Sequence, residues 1–271
     1  MRRRHFLAAA GAAGAALAGD ALAIEPRRVQ LTRHDVPVPG LPPALEGLRI
    51  AQVSDMHLPA CRGPAEAALE LLERERPEIV LHTGDALEVY AAAPMLADFG
   101  GVLRGTVATA AVLGNWEHRV ALTGPAAERA WDRVGVPLLV NSHLLVPVRG
   151  AALALVGVDD LLFARPDFAA ARRGLPEGLT EIWLGHEPQV ADRRPADVPR
   201  PALCLSGHTH GGQIRFPGVP AFTPIGSGRY VAGWYRDAPA PLYVSRGIGT
   251  AEIRARLRCP PELPVFRLTR A

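Results

Sequence analysis

Five short polar patches, each closing an apolar run of strand length, constrain this chain more than any other feature. Ile50–Val53 leads into Asp55-Met56-His57, Ile79–Leu81 into Gly84-Asp85, and Val107–Leu113 into Gly114-Asn115. Ile182–Leu184 leads into Gly185-His186, and Ala202–Leu205 into Gly207-His208-Thr209-His210. Each run reads as a β-strand. In open α/β sheets, sites form beyond the carboxyl ends of strands, so five such ends would converge on one place.

The residue types at those ends point to metal ions. Imidazole together with carboxylate oxygen suits Zn, Fe or Mn, rather than Ca or Mg alone. In an extended segment, residues i and i+2 point to the same side. Asp55 and His57 can therefore share one ion, and the imidazoles of His208 and His210 can serve a neighbouring pair. A carboxylate such as Asp85 can bridge two ions. Two ions about 3.5–4 Å apart activate water and clamp the attacking and leaving oxygens of a phosphoryl displacement. Gly84, Gly114, Gly185 and Gly207 each precede a ligand, where a sharp turn and a close backbone approach are needed. Taken singly the patches are weak, because Gly-Asp and Gly-Asn are usually turns. The ordered set, every member at a strand end, is specific.

Around the patches, strand-like and helix-like segments alternate. Pro64–Arg76 starts on Pro, carries Ala68, Leu71 and Leu72 on one face, and stops at Pro77. Pro125–Val134 has Ala127, Ala130, Trp131 and Val134 at helical spacing, with Gly135 just past its end. Leu144–Val148 and Ala151–Val158 flank Arg149-Gly150 as a hairpin. A leading strand is expected at Arg28–Val36, and two late strands at Leu242–Ser245 and Val265–Leu268. The pattern is α/β, with antiparallel strands added in the second half.

Length and composition suit one large soluble domain, with 271 residues, 48% of them hydrophobic and 21% charged. All 30 basic residues are Arg, and the net charge is +3. Arg2, Arg3, Arg4 and Asp20 account for roughly +2 of that charge. The remainder is near neutral and offers no footprint for nucleic acid. Residues 1–23 read as a signal peptide, with a charged Arg2-Arg3-Arg4 region, an apolar Phe6–Leu17 stretch too short to span a membrane, and an Ala21-Leu22-Ala23 cleavage site. Arg3-Arg4-His5-Phe6-Leu7 resembles the twin-arginine export signal; a general secretory signal or an uncleaved anchor is the alternative. Residues 24–47 form the leading strand and a Pro-rich loop, and 48–271 one catalytic domain. Cys61, Cys204 and Cys259 are too few for a disulfide framework and lack the C-x-x-C spacing of a thiolate metal site.

The ordered series of patches resembles the motif series of the calcineurin-like metallophosphoesterase superfamily. Ser206-Gly207-His208-Thr209-His210-Gly211-Gly212-Gln213 and Val244-Ser245-Arg246-Gly247-Ile248-Gly249 are similar to one bacterial branch of small, often exported or membrane-associated members. The resemblance covers roughly residues 45–270. It implies a four-layer αββα sandwich, two mixed sheets face to face with helices outside, and a centre of two divalent transition-metal ions. Asp55, His57, Asp85 and His210 would hold one ion, and Asp85, Asn115, His186 and His208 the other. The implied activity is hydrolysis of phosphate mono- or diesters by a hydroxide bridging the two metals.

One position departs from the family. His commonly follows the motif Asn, whereas here the residue is Trp116, which cannot deliver a proton. Either the acid is missing here or His118 reaches in to supply it, and Trp116 either stacks on substrate or packs into the core. Arg246 suits a phosphate oxygen, or a structural ion pair. Glu88 is a candidate for orienting a ligand, and His82 for a packed core residue. Phe216, Phe222, Tyr230, Trp234 and Tyr235 are candidates for a substrate groove or a membrane contact. The expected partners are a phosphate-ester substrate and the twin-arginine machinery, with peripheral membrane or cell-wall contact after export. Two rival functions remain: a pyrophosphatase on a lipid-linked or nucleotide-sugar substrate at a membrane surface, and a metal-binding module with little turnover.

Overall fold

The computed structural model describes residues 2–99 and 103–271, with side chains from His5 onward; the Arg3-Arg4 pair lies outside the described side chains. Among the described residues, eleven strands build two sheets. In chain order they are β1 (Gln30–Val38), β2 (Arg49–Val53), β3 (Ile79–Thr83), β4 (Ala108–Val112), β5 (Ser142–Val148) and β6 (Ala151–Gly157). There follow β7 (Thr180–Leu184), β8 (Leu203–Ser206), β9 (Gly233–Tyr235), β10 (Leu242–Val244) and β11 (Glu262–Arg270). The first sheet runs β1-β11-β2-β3-β4 and the second β5-β6-β7-β8-β10-β9. Both are mixed. β2, β3 and β4 are parallel neighbours, as are β6, β7, β8 and β10, while β11 against β2, β5 against β6 and β9 against β10 are antiparallel.

Strand alternation sorts the apolar residues into two kinds of core. Ile50, Ile79, Leu81 and Val112 of the first sheet meet Leu155, Ile182, Leu184, Leu203 and Leu205 of the second. The intervening Ala51, Val53 and Val80 face outward, against Ala68, Leu69 and Leu72 of helix α2 (Arg62–Glu75) and Trp131 of helix α4 (Gly124–Asp132). Val156, Trp183 and Cys204 form the outer face of the second sheet, covered by Phe168 of the short helix α5 (Phe168–Ala171) and by Val190. The chain is thus an α/β sandwich of two mixed sheets flanked by helices. Each fully buried Leu or Ile in these layers contributes about 1.5–3 kcal/mol, so the layers are held mainly by apolar burial.

Helix α2 has Ala65, Ala68, Leu69 and Leu72 buried, a stripe spaced for one face. It ends where Arg76 turns left-handed (φ 45°), one residue before Pro77. The β5–β6 hairpin turns through Arg149 and Gly150, both at positive φ, as a two-residue turn requires. Cys61, Cys204 and Cys259 are buried and free.

The N-terminus differs from expectation. Helix α1 (Arg2–Gly19) continues through further helical turns, Asp20–Ile24 and Glu25–Arg27. The continuous stretch His5–Arg27 is 23 residues, exposed throughout its most apolar part, and long and apolar enough to cross a membrane. Counting only Phe6–Leu17 underestimated it, because Ala18 through Ile24 continue the helix with a single charge.

Candidate metal centre

Every strand that ends in a polar patch ends at the same place. β2, β3 and β4 deliver Asp55, His57, Asp85 and Asn115 from the first sheet, while β7 and β8 deliver His186, His208 and His210 from the second. All seven are buried, none more than 8% exposed. Two triads result: Asp55, His57 and His210, and Asp85, His186 and His208. Each draws residues from both sheets.

The side chains do not converge by strand alternation. Asp55, His57, Asp85, His208 and His210 have φ of 55°, 50°, 53°, 72° and 49°. They sit in left-handed turns, which side chains other than Gly seldom adopt and which cluster at functional sites. Consecutive parallel strands end here, and their loops must fold back over one point. Gly207 shows how tight the approach is: a Cβ there would lie 2.0 Å from Ser54 Oγ and 2.3 Å from Asp55 Oδ2.

His57 Nε2 and His210 Nε2 face each other at 3.0 Å, with His210 Nε2 3.5 Å from Asp55 Oδ1. His186 Nε2 lies 3.1 Å from Asp85 Oδ2 and 3.1 Å from Asn115 Oδ1. His208 Nδ1 is 2.8 Å from the same Asn115 oxygen. Asp85 Oδ2 also lies 3.8 Å from His57 Nε2, so one carboxylate faces both triads.

Outer contacts set the inner nitrogens. His186 Nδ1 donates to the Thr83 carbonyl at 2.7 Å, which turns Nε2 inward. His208 Nε2 donates to the Ile225 carbonyl at 2.7 Å and leaves Nδ1 to face the cluster. His57 Nδ1 lies 3.2 Å from Glu88 Oε1, and Glu88 is held in turn by Arg254. Glu88 thus stands where a carboxylate would orient a ligand imidazole.

Burial prevails at His208, His210 and Asp55, while neighbouring charges prevail at Asp85 and His186. It pushes the His208 imidazole down to about 4, helped by the charge of His186, and holds His210 well below its ordinary value. At neutral pH both therefore present the lone pairs that metal ligation requires. Burial also raises Asp55, whose Oδ2 has no hydrogen-bond partner. For Asp85 burial is outweighed by His186, His57 and the Trp116 amide, and its carboxyl stays well below the usual range. A buried, unpartnered carboxylate oxygen and imidazole nitrogens turned toward one another fit two cations of the borderline kind.

Glu117 is the clearest residue that sequence reasoning missed. Its buried carboxylate accepts from the amides of Asp85 (3.0 Å), Leu87 (3.0 Å) and Gly114 (2.9 Å). It ties the β3 loop to the start of helix α3 (Asn115–Arg119). Placed three residues after Gly114, it has the spacing of a capping-box acid, a signal available in the sequence. Burial, then the charge of Asp85, raises it to about 7. Arg256 was also missed. It is fully buried and donates to the carbonyls of Gly249 and Cys259, and through Nη2 to that of Arg246. It pins the loop behind His210, and only a folded chain reveals its partners.

The centre lies at the floor of a cavity of about 730 Å³. Trp116 lines it half-buried, its ring edge-on to His57 at 5.7 Å, with the Arg119 guanidinium 5.0 Å away over the ring. The structure does not bring His118 to the cavity. Its Nε2 pairs with Asp159 at 3.1 Å, and its ring stacks on Phe163. Burial would lower His118, but the bond to Asp159 and the Asp160 charge raise it. Arg246 is not brought in either: it donates to the Pro260 carbonyl and to Gln30, with Glu262 3.7 Å away. His82 is a core residue, bonded to the Leu103 carbonyl at 3.0 Å and tilted on Trp131. Trp234 packs against Tyr243 and Phe266, and Tyr230 is buried, so of the late aromatics only Phe216 and Phe222 are freely exposed.

Comparison with known proteins agrees with this arrangement. A model of the calcineurin-like phosphoesterase superfamily domain matches residues 48–227. The uncharacterized metallophosphoesterase YkuE of Bacillus subtilis is 30% identical, covering 99% of this chain and 98% of its own. The phosphodiesterase YaeI of Escherichia coli is 29% identical over 74% of each chain. A transmembrane protein with metallophosphoesterase domain from Danio rerio is 28% identical, covering 88% of this chain and 56% of its own. With the family match across most of the chain and two His/Asp triads able to hold metal at its strand ends, this protein belongs to the calcineurin-like phosphoesterase superfamily.

Proposed function

We propose that this protein hydrolyses phosphate esters at a dinuclear centre of divalent transition-metal ions, Mn, Fe or Zn, on the outer side of the cytoplasmic membrane. The observation that carries the reading is the position of Asp85, whose Oδ2 faces His186 at 3.1 Å and His57 at 3.8 Å. It is thereby suited to serve two ions, of which one would be held by Asp55, His57 and His210 and the other by Asn115, His186 and His208. Bound there, two such ions supply Lewis acidity to phosphoryl oxygens and lower the pKa of water.

The chain's own residues do the rest. The Trp116 amide donates to the Asp85 carboxylate, Glu117 accepts from the Asp85 backbone amide, and Glu88 faces His57 Nδ1. Trp116 forms a wall beside the centre and offers no acid, and His118 is engaged by Asp159. A leaving alkoxide must therefore take its proton from solvent, whereas a nitrophenolate needs none. Both monoesters and diesters suit the open cavity, and the naming of the E. coli relative as a phosphodiesterase favours diesters. The expected result with added Mn²⁺ is clear turnover of aryl phosphate esters and alkyl-diester turnover lower by about 10²–10⁴-fold. Comparable rates on both would contradict the missing acid, and no aryl turnover with any of the three metals would contradict the enzyme.

A further inference from the structure

The cavity above the metal centre is apolar. Leu162, Phe163, Ile214, Phe222, Ile225 and Ile253 line its walls, and the charged residues there, Arg119 and Glu252, pair with each other at 3.3 Å. Several of these side chains also face outward: Phe222 is 86% exposed, Ile225 83% and Ile253 59%. Phe216 and Val219, on the same loop as Phe222, are exposed as well. Scattered apolar residues on a surface need no explanation, but a cluster rimming a functional cavity does.

The apolar N-terminal stretch docks beside the same rim. The Ala21 carbonyl accepts from the Arg256 amide at 2.8 Å, and Glu25 accepts from the amides of Arg258 and Cys259. The docked segment 256–259 continues directly from Ala251–Ile253, which lines the cavity. Gln213 binds the two together, donating to the carbonyls of Ala251 (3.2 Å) and Ile253, while its own carbonyl accepts from the Leu257 amide. The Arg215 amide bonds the Leu257 carbonyl in return. A helix able to cross a membrane therefore leaves the body next to the exposed apolar rim, among the exposed basic side chains of Arg28, Arg215 and Arg258. Such basic residues favour an anionic lipid surface.

We infer that the protein lies on a lipid bilayer, tethered by its N-terminal helix, with the rim of Phe216, Val219, Phe222 and Ile253 in the interface, and that its substrate is a membrane lipid phosphoester. The phosphoryl group reaches the metal centre while the apolar chain remains along Phe222, Ile225 and Ile253. The inference rests on the phosphoesterase reading and names the substrate class for that same site. Water-soluble esters fill only the floor of such a cavity, whereas a chain along its walls adds apolar burial with each methylene.

The test uses the full-length chain in vesicles containing anionic lipid, with added Mn²⁺ and two aryl diesters that share a leaving group: methyl and hexadecyl 4-nitrophenyl phosphate. The hexadecyl ester embedded in the vesicles should be preferred in kcat/KM by about tenfold or more. Phe222→Ser with Ile253→Ser should reduce that ratio towards one. Because the ratio is taken within one preparation, a partly misfolded variant does not mimic the result. Equal kcat/KM for the two esters in the wild type, with the methyl ester turned over, would overturn the lipid inference and leave the phosphoesterase reading standing. An undiminished preference in the double variant would overturn the assignment of the rim. Failure on both esters would overturn the phosphoesterase reading itself.

Discussion

At the scale of single residues, the candidate site depends on carboxylates that act on backbone amides as much as on those of the two triads. Glu117 gathers three amides from two loops, and without it the turns that carry Asp85 and Asn115 would be joined by the Trp116 amide's bond to Asp85. Glu117→Ala would leave these buried donors unpartnered, at about 1–3 kcal/mol for each that water cannot reach. The expected outcome is a loss of at least about 2 kcal/mol in denaturant unfolding of the metal-free protein, together with weakened metal binding. An unchanged unfolding midpoint would refute the role. The residues of the two triads were legible in the sequence, since each follows an apolar run and the set is ordered. Their geometry was not. Asp55 and His57 come together through left-handed turns and not through extended alternation, and no periodicity reports a positive φ. The partners of Glu117 and Arg256 stayed hidden for another reason: Asp85 and Glu117 are 32 positions apart, and their contact exists only after the sheet has formed.

At the scale of elements, the loops after β2 and β8 are pressed together. Gln52 donates to the Ser206 carbonyl at 2.9 Å, and the His208 amide donates to Asp55 at 3.0 Å. Gly207 lies between them with no room for a methyl group. Gly207→Ala must push Ser54 and Asp55 aside, an overpacking that costs about 1–3 kcal/mol. It should lower the thermal midpoint and reduce metal content, because Asp55 is displaced from His210. A variant with full metal content and an unshifted midpoint would show that the loops are not packed this closely. The strands themselves were easy to read, as was the β5–β6 hairpin from Arg149-Gly150. Helix α3 was not, since five residues are too few for a helical period to show. Strand β9 was missed likewise; at three residues it is defined by its pairing with β10 alone.

At the scale of the whole molecule, neither sheet holds a complete triad. The first supplies Asp55, His57, Asp85 and Asn115, the second His186, His208 and His210, and the apolar layer between them sets their distance. Metal bound at the two triads would therefore be coupled to the packing of the sheets, and ions that bind only the folded chain would stabilise it. The N-terminal helix stands outside this body and meets it only at its end. If its paired Arg3 and Arg4 are the address read by the twin-arginine machinery, changing both to Lys should block translocation of the folded, metal-loaded protein. Normal export of that variant would assign the segment to the general secretory route. The central claim, a dinuclear centre bridged by Asp85, is tested most directly by counting metal in purified protein reconstituted with Mn²⁺, Fe²⁺ or Zn²⁺. The account predicts about two ions per chain in the wild type and a marked loss from both sites in Asp85→Asn, since one carboxylate serves both. A wild-type protein holding one ion or none, or an Asp85→Asn variant that keeps two, would contradict it.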